Sequence, residues 1–306
     1  MEKNNTLITI LGPTASGKTH LAVHLAEKLS GEIISADSRQ VYVGMDIGTG
    51  KDLEEYQISG QQIPYHLIDI HPPGYEYNVF EFQQDFLKAF DQITQAGQQA
   101  IMCGGTGMYI ESILKGYRLQ KVPENVALRA ELAMMELEQL IEQLQLLKPL
   151  HNTTDIADRK RAIKAIEIAT FEQQNPPEKS RLPEINHVVA GIQWERSTLK
   201  RRITKRLKAR LQEGMVEEVE NLLGKGYTAE QLKFYGLEYR FITQYLEGEI
   251  NKNDMYQKLN SAIHNFAKRQ MTYFRRMEKQ GIHIHWLEGD LPLEQKIEKI
   301  LNLSPM

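Results

Sequence analysis

Along the first hundred residues, short apolar runs alternate with longer stretches in which apolar positions recur at helical spacing. Leu7–Leu11, Glu32–Ala36, Pro64–Ile70 and Ala100–Cys103 read as strands, and Lys18–Leu29 and Phe80–Gln95 as helices. Strand and helix in alternation predict an α/β fold, a parallel sheet flanked by helices. From Pro123 the pattern changes. Glu124–Leu147 is rich in Leu, Glu, Ala, Met and Gln and reads as a helical stretch, and Asp155–Phe171 as a second one after Pro149 and the cap-like Asn152-Thr153-Thr154. Asn175-Pro176-Pro177 and Arg181-Leu182-Pro183 then punctuate the chain before another buried strand, His187–Ile192. Residues 121–184 are therefore expected to form a small all-helical insertion in an α/β core made of 1–120 and 185–306. Long polar helices over Ser197–Leu223 and Asn253–Lys279 and a short strand at Ile282–Leu287 complete the expected elements.

Between the first strand and helix stands Gly12-Pro13-Thr14-Ala15-Ser16-Gly17-Lys18-Thr19, which satisfies G-x-x-x-x-G-K-[ST] in the strand-loop-helix context the motif needs. Backbone N–H groups of Gly12 and Thr14 to Thr19 would cradle phosphate oxygens, Lys18 would supply a cation, and the Thr19 hydroxyl suits Mg²⁺. The loop does not distinguish a diphosphate from a nucleoside triphosphate.

Two further strand ends carry chemistry. Asp37 follows the second strand, where ligands of open α/β sheets bind, and a carboxylate beside phosphates suggests a metal contact or a proton acceptor; a turn residue is the alternative. Asp69 resembles a magnesium-supporting acid of an ATPase or kinase, on a weaker signal. In Gly104-Gly105-Thr106-Gly107 the glycines allow a ligand close to the backbone, and Thr106 is either a donor to developing negative charge or a helix N-cap. Cys103 reads as a core residue.

Composition changes this picture in one respect. The 306 residues are 41% hydrophobic and 25% charged, with a net charge of −3 and one cysteine, which excludes an intramolecular disulfide and a thiolate metal cluster. No run approaches the ~18–20 apolar residues of a membrane span, and the first residues lack an apolar signal segment, so a cytoplasmic protein without membrane contact is expected. The net charge argues mildly against a nucleic-acid partner. Yet the first 110 residues hold 6 basic and 13 acidic side chains, a net of −7, and the other 196 hold 31 and 27, a net of +4. Within that second region Arg196–Arg210 contains eight basic residues and no acid, the strongest candidate for phosphate binding. Arg159, Lys160, Arg161 and Lys164 form a second patch; Lys268, Arg269, Gln270, Thr272 and Arg275 form a third, with Tyr273 and Phe274 either stacking or packing.

Taken together, GPTASGKT, ISADSRQVY and GGTGMY resemble the tRNA dimethylallyltransferase (tRNA isopentenyltransferase) family. The likeness continues through Gly44–Lys51, His66–Asp69, Arg161–Glu167, Tyr245–Ile250 and Ala267–Arg276, and so spans nearly the whole chain. It implies a P-loop NTPase-like fold and an enzyme that moves a dimethylallyl group from dimethylallyl diphosphate to the exocyclic N6 amine of the adenosine 3′-adjacent to the tRNA anticodon. The P-loop would then hold the leaving diphosphate with Mg²⁺ at Thr19. Asp37 would be the general base, and Thr106 and Arg129 would act near the reacting groups. The resemblance also implies contacts to the anticodon stem-loop from Asp37, Ser38, Arg39 and Gln40, from Lys160, Arg161 and Lys164, from the stretch Lys233–Glu238, and from Lys268, Arg269, Gln270 and Arg275. At 231–240 this sequence departs from the family pattern, with two residues added before Tyr245; Gly236 is expected to anchor a turn there. A monomer is expected. The competing readings are an adenylate isopentenyltransferase, which the dispersed basic patches disfavour, a P-loop small-molecule kinase, and a non-enzymatic RNA-binding protein.

Overall fold

The computed structural model describes residues 6–58, 60–149, 156, 158–176 and 184–303. The expectations at 152–154, 155, 177 and 181–183 lie outside these described residues. The described part divides into two compact units, one of Met1–Gly116 with Glu184–Met306 and one of Tyr117–Pro183.

The larger unit begins with β1 (Leu7–Leu11), α1 (Lys18–Leu29) and β2 (Gly31–Ala36). A short 3₁₀ turn leads to a two-stranded hairpin of β3 (Gln57–Ile58) and β4 (Gln61–Gln62), then β5 (Tyr65–His66), α2 (Val79–Gln95), β6 (Gln99–Gly104) and α3 (Gly107–Leu114). The smaller unit holds α4 (Val126–Leu132), α5 (Leu137–Leu147) and α6 (Arg159–Gln174). The chain then returns to the larger unit with β7 (His187–Gln193), α7 (Arg196–Gln212), α8 (Met215–Gly224), α9 (Ala229–Phe234), α10 (Leu237–Leu246), α11 (Lys252–Lys279), β8 (His285–Glu288) and α12 (Leu293–Leu301).

Six parallel strands form the main sheet in the order β5-β2-β6-β1-β7-β8. Both faces are covered, which is why the strands read as unbroken apolar runs. Leu7 and Leu11 point with Ile34, Met102 and Val189 into a core filled by Phe82, Phe86, Tyr109, Ile110, Phe274 and Met277. Ile8 and Ile10 point the other way, with Ile33, Ile101 and Ile192, onto Leu21, Leu25, Ile297 and Ile300. Cys103 belongs to this second layer, and burial pushes its thiol up to about 12. The helices α7 to α11 enclose a third core that reaches Val41, Tyr42 and Met45. In the smaller unit Leu132, Leu140, Leu144, Ala162 and Ile166 make a core of their own.

Several expected elements are subdivided. The stretch Glu124–Leu147 is two helices, α4 and α5, the second opened by a capping box between Glu136 and Gln139. Ser197–Leu223 is interrupted at Gly214, whose φ of +102° ends α7 and starts α8. Of Pro64–Ile70 only Tyr65–His66 pairs in the sheet, because Leu67 and Asp69 adopt left-handed φ values of 63° and 55°. The final strand is His285–Glu288, and α9, α10 and α12 were not foreseen. Among the described residues, no helix is long and apolar enough to cross a membrane.

Candidate functional site

The loop between β1 and α1 has the shape its sequence predicts. Ala15 at φ 61° and Gly17 at φ 89° turn the backbone sharply into α1, the left-handed turn that an anion-binding loop uses, with the Thr14 amide donating to Gln270 Oε1 and the Ser16 amide to the Pro13 carbonyl. Gly12 is needed there, since a Cβ would lie 2.7 Å from Ser16 Oγ and 3.3 Å from the Ile192 carbonyl oxygen. Lys18 makes no hydrogen bond or ion pair among the described residues; burial lowers its pKa, against the opposing charge of Asp37. The Thr19 hydroxyl makes no hydrogen bond among the described residues, and Ser16 Oγ is buried without a partner. The described residues contain no cluster of three His, Cys, Asp or Glu side chains able to hold a metal alone. A free hydroxyl beside an anion-binding loop fits Mg²⁺, which binds through one or two protein oxygens and the phosphates of its ligand.

The basic run of α7 is split between two faces. Arg202, Arg206 and Arg210 recur at spacing four and line up towards the P-loop. Arg202 Nε donates to the Ala15 carbonyl at 2.9 Å and its guanidinium lies 4.3 Å from the Trp194 ring, while Trp194 Nε1 donates to the Ser16 carbonyl at 3.0 Å. Arg206 reaches Thr14 Oγ1 at 3.3 Å and pairs with Asp52, which Arg210 also engages at 2.8 Å. Burial alone would raise the Asp52 pKa, but the two guanidiniums outweigh it and hold the carboxyl below its ordinary value. Glu238, its own pKa raised by burial, lines a cavity with Thr14, Ala15, Arg206 and Arg210. Arg206 is half-buried and Arg210 buried, whereas Arg202 is exposed, as are Arg196, Lys200, Arg201, Lys205 and Lys208, which lie off this line of contacts.

Adjacent strands β1, β6 and β2 bring the other candidates beside this loop. Asp37 follows β2, half-buried, with Oδ1 accepting from the Arg39 amide at 3.0 Å. Thr106 Oγ1 accepts from the Ser38 amide at 3.0 Å, which ties the two segments together. Thr106 occupies the N-cap position of α3, yet its side chain makes no capping hydrogen bond and is turned to Ser38 instead. The glycines of this turn do not leave room for a ligand as the sequence suggested. A Cβ at Gly104 would meet the Ala36 carbonyl oxygen at 2.2 Å, one at Gly105 the Gln270 amide at 2.4 Å, and one at Gly107 the Tyr273 ring at 2.2 Å. Protein atoms fill that space.

Three other expectations are corrected by the geometry, and of the two alternatives for Tyr273 and Phe274 packing is found. Gln270 is buried, accepts from the Thr14 amide at 2.9 Å and donates to the Gly105 carbonyl at 3.0 Å, so it joins two loops where a surface contact was expected. Gln40 is likewise buried between Ser35 and the Gly50 carbonyl. Asp69 is committed to the fully buried Lys51, which also pairs with Asp46 at 2.5 Å and donates to the Tyr42 carbonyl at 2.8 Å. Tyr273 and Phe274 pack, the former donating to the buried Glu111 at 2.6 Å, the latter fully buried.

Lys268, Arg269 and Arg275 are exposed on α11, as expected of a surface patch. In the smaller unit Lys160, Arg161 and Lys164 are exposed, and Arg161 pairs with Asp158 at 3.3 Å. Arg129 forms a two-pronged bond with Glu167, both contacts at 2.9 Å, and Lys164 joins at 2.8 Å. Against the opposing effect of burial, these donors and the Asn125 amide bring the Glu167 carboxyl to about 2. Sequence reasoning missed Asp52, Trp194 and the contacts of Arg202, Arg206 and Arg210; the four-residue spacing of the arginines was the available signal.

Comparison with known proteins adds the following. The family model described as IPP transferase matches residues 40–277, and one described as isopentenyl transferase matches residues 5–65. The chain is 58% identical over 299 residues to tRNA dimethylallyltransferase 1 of Geotalea uraniireducens, covering 97% of each. It is 56% identical to tRNA dimethylallyltransferase 2 of Phocaeicola vulgatus, covering 99% of this chain and 98% of that one. Among solved structures, the full-length tRNA isopentenylpyrophosphate transferase of Bacillus halodurans superposes with a TM-score of 0.71 at 30% identity, over 98% of this chain and 95% of the other.

Proposed function

The chain belongs to the IPP transferase family of tRNA dimethylallyltransferases, which are prenyl-transferring enzymes, and from that premise we propose how its own residues act. It moves the dimethylallyl group of dimethylallyl diphosphate to the N6 amine of the adenosine that follows the anticodon in tRNA, releasing diphosphate. The observation that carries this reading is the meeting of three loops, with Asp37 and Thr106 joined through Ser38 next to a P-loop whose lysine has no partner among the described residues.

The P-loop amides and Lys18 receive the diphosphate, with Arg206 alongside through Thr14. These fixed donors stabilise charge that grows on the leaving oxygen as the allylic C–O bond breaks. Mg²⁺ at Thr19, when bound, supplies further charge neutralisation on the diphosphate. Thr106 accepts the Ser38 amide and keeps its own O–H to donate, held otherwise only by a 3.4 Å contact with Ser38 Oγ. The adenine amine becomes acidic as its bond to carbon forms, and Asp37, with Oδ2 outside its bond to Arg39, takes the proton. The acceptor base has to leave its stack to reach this carboxylate, at a cost of a few kcal/mol. Exposed cations at Lys268, Arg269 and Arg275 and, in the smaller unit, Lys160, Arg161 and Lys164 then bind RNA phosphates.

The test is incubation of the purified chain with dimethylallyl diphosphate, Mg²⁺ and unmodified tRNA, followed by nucleoside mass analysis. Prenylated adenosine and diphosphate release that needs both substrates are expected; ATP hydrolysis without a mass gain would overturn the reading. Asp37→Asn is expected to lower kcat by about 10²–10⁴-fold while leaving tRNA affinity within about twofold.

A further inference from the structure

Arg39 is a half-buried cation two residues beyond Asp37, and its guanidinium makes no hydrogen bond or ion pair among the described residues. What it faces is an aromatic ring. Its guanidinium carbon lies 5.5 Å from the ring centroid of Phe234, the last residue of α9, which is 45% exposed. The ring stands on a rigid base: Phe234 meets Tyr235 edge-on at 5.5 Å, and Tyr235 meets Tyr42 edge-on at 4.6 Å, with both tyrosines almost fully buried. The Tyr235 hydroxyl also accepts from the Gly74 amide, which fixes its orientation. A planar cation and an aromatic ring are thus held together beside the carboxylate assigned to proton removal, the ring within the segment that departs from the family pattern.

We infer that Arg39 and Phe234 form a stacking platform for an unpaired RNA base flanking the acceptor adenosine, and that Phe234 sets how strongly that base is required. The inference rests on the prenyl-transfer reading for its acceptor. Three features select a base as occupant. Guanidinium and phenyl planes both stack on nucleobases, whatever their identity. No carboxylate pairs with the cation among the described residues, so it suits a polyanion. Arg39 is tied through its amide to Asp37, so the nucleotide next to an adenosine whose amine reaches Asp37 comes to this ring.

The experiment uses an anticodon stem-loop carrying 2-aminopurine on one or the other side of the acceptor. Binding to the wild-type chain is expected to quench the fluorescence at one flank; Phe234→Ala should lose most of that quench and Phe234→Trp should keep it. An abasic site at the same flank should lower kcat/KM for prenyl transfer by about tenfold in the wild type and by less than about twofold in Phe234→Ala. Equal quenching in wild type and Phe234→Ala, or an abasic penalty that Phe234→Ala leaves unchanged, overturns the platform. Failure of the prenyl-transfer reading has a different signature, no product from intact RNA, and a quench that depends on Phe234 would support the platform even then.

Discussion

Helices α7 and α11 both carry many Lys and Arg, eight in 17 residues and seven in 28, but they place them differently. On α7, three arginines at spacing four engage the P-loop, the Trp194 ring and Asp52, Arg206 and Arg210 from within the fold and Arg202 from the surface. On α11, Lys268, Arg269 and Arg275 stay exposed and make no ion pair among the described residues, while Gln270, Phe274 and Met277 on the opposite face are buried. A count of charges does not show which cations are engaged; helical phase does. On the proposed reading, a cation facing the sheet's phosphate loop serves one small anion, and a cation facing solvent serves a long one.

The largest effect that tests this contrast is on the inward side. Arg206→Ala is expected to reduce kcat/KM by about 10²–10³-fold, as loss of a fixed donor to developing charge does, with tRNA affinity nearly unchanged. Steady-state kinetics combined with filter binding checks it, and a loss of RNA affinity without a loss of turnover would break the contrast. Next comes the outward side. Replacing Lys268, Arg269 and Arg275 together by Gln should leave kcat near wild type and weaken RNA binding. The slope of log affinity against log salt should flatten by about 0.7–0.9 for each phosphate contact removed.

The smallest effect belongs to the smaller unit, where Arg129 and Lys164 are paired with Glu167. The Glu167 carboxyl sits near 2, below its ordinary value, so its stabilisation is present above the usual carboxylate range and fades as pH falls towards 2. Glu167→Gln should therefore destabilise that unit by ~1–3 kcal/mol at neutral pH, with the difference from wild type closing on acidification. Hydrogen exchange of the α4 and α6 amides at several pH values reads it; a pH-independent difference would show that Arg129 and Lys164 gain nothing from the charge.

Much of the frame was legible beforehand because it follows from local rules. β1 and α1 have the bounds their patterning predicts, since a doubly covered strand and a helix opened by a Gly-Lys-Thr turn leave few alternatives. The P-loop was legible for the same reason. What escaped the reading depends on partners distant in sequence. Asp69 looked like a metal acid until Lys51 was placed against it, and the glycines at 104, 105 and 107 looked like a ligand approach until Ala36, Gln270 and Tyr273 filled the space. Gln270, 256 residues from Thr14, could not be assigned to the P-loop by any spacing rule. The arginine stripe of α7 is an intermediate case: its four-residue period stood in the sequence, but charge was counted there without regard to phase.

The bond between Gln270 and the P-loop has one more consequence. Its carboxamide holds the Thr14 amide with one end and the Gly105 carbonyl with the other, next to the turn that carries Thr106. The backbone of each loop is therefore held by the other's partner, across a separation of 256 residues. Gln270 is thereby a tie between two loops, one side chain that fixes the spacing of the P-loop and the turn bearing Thr106.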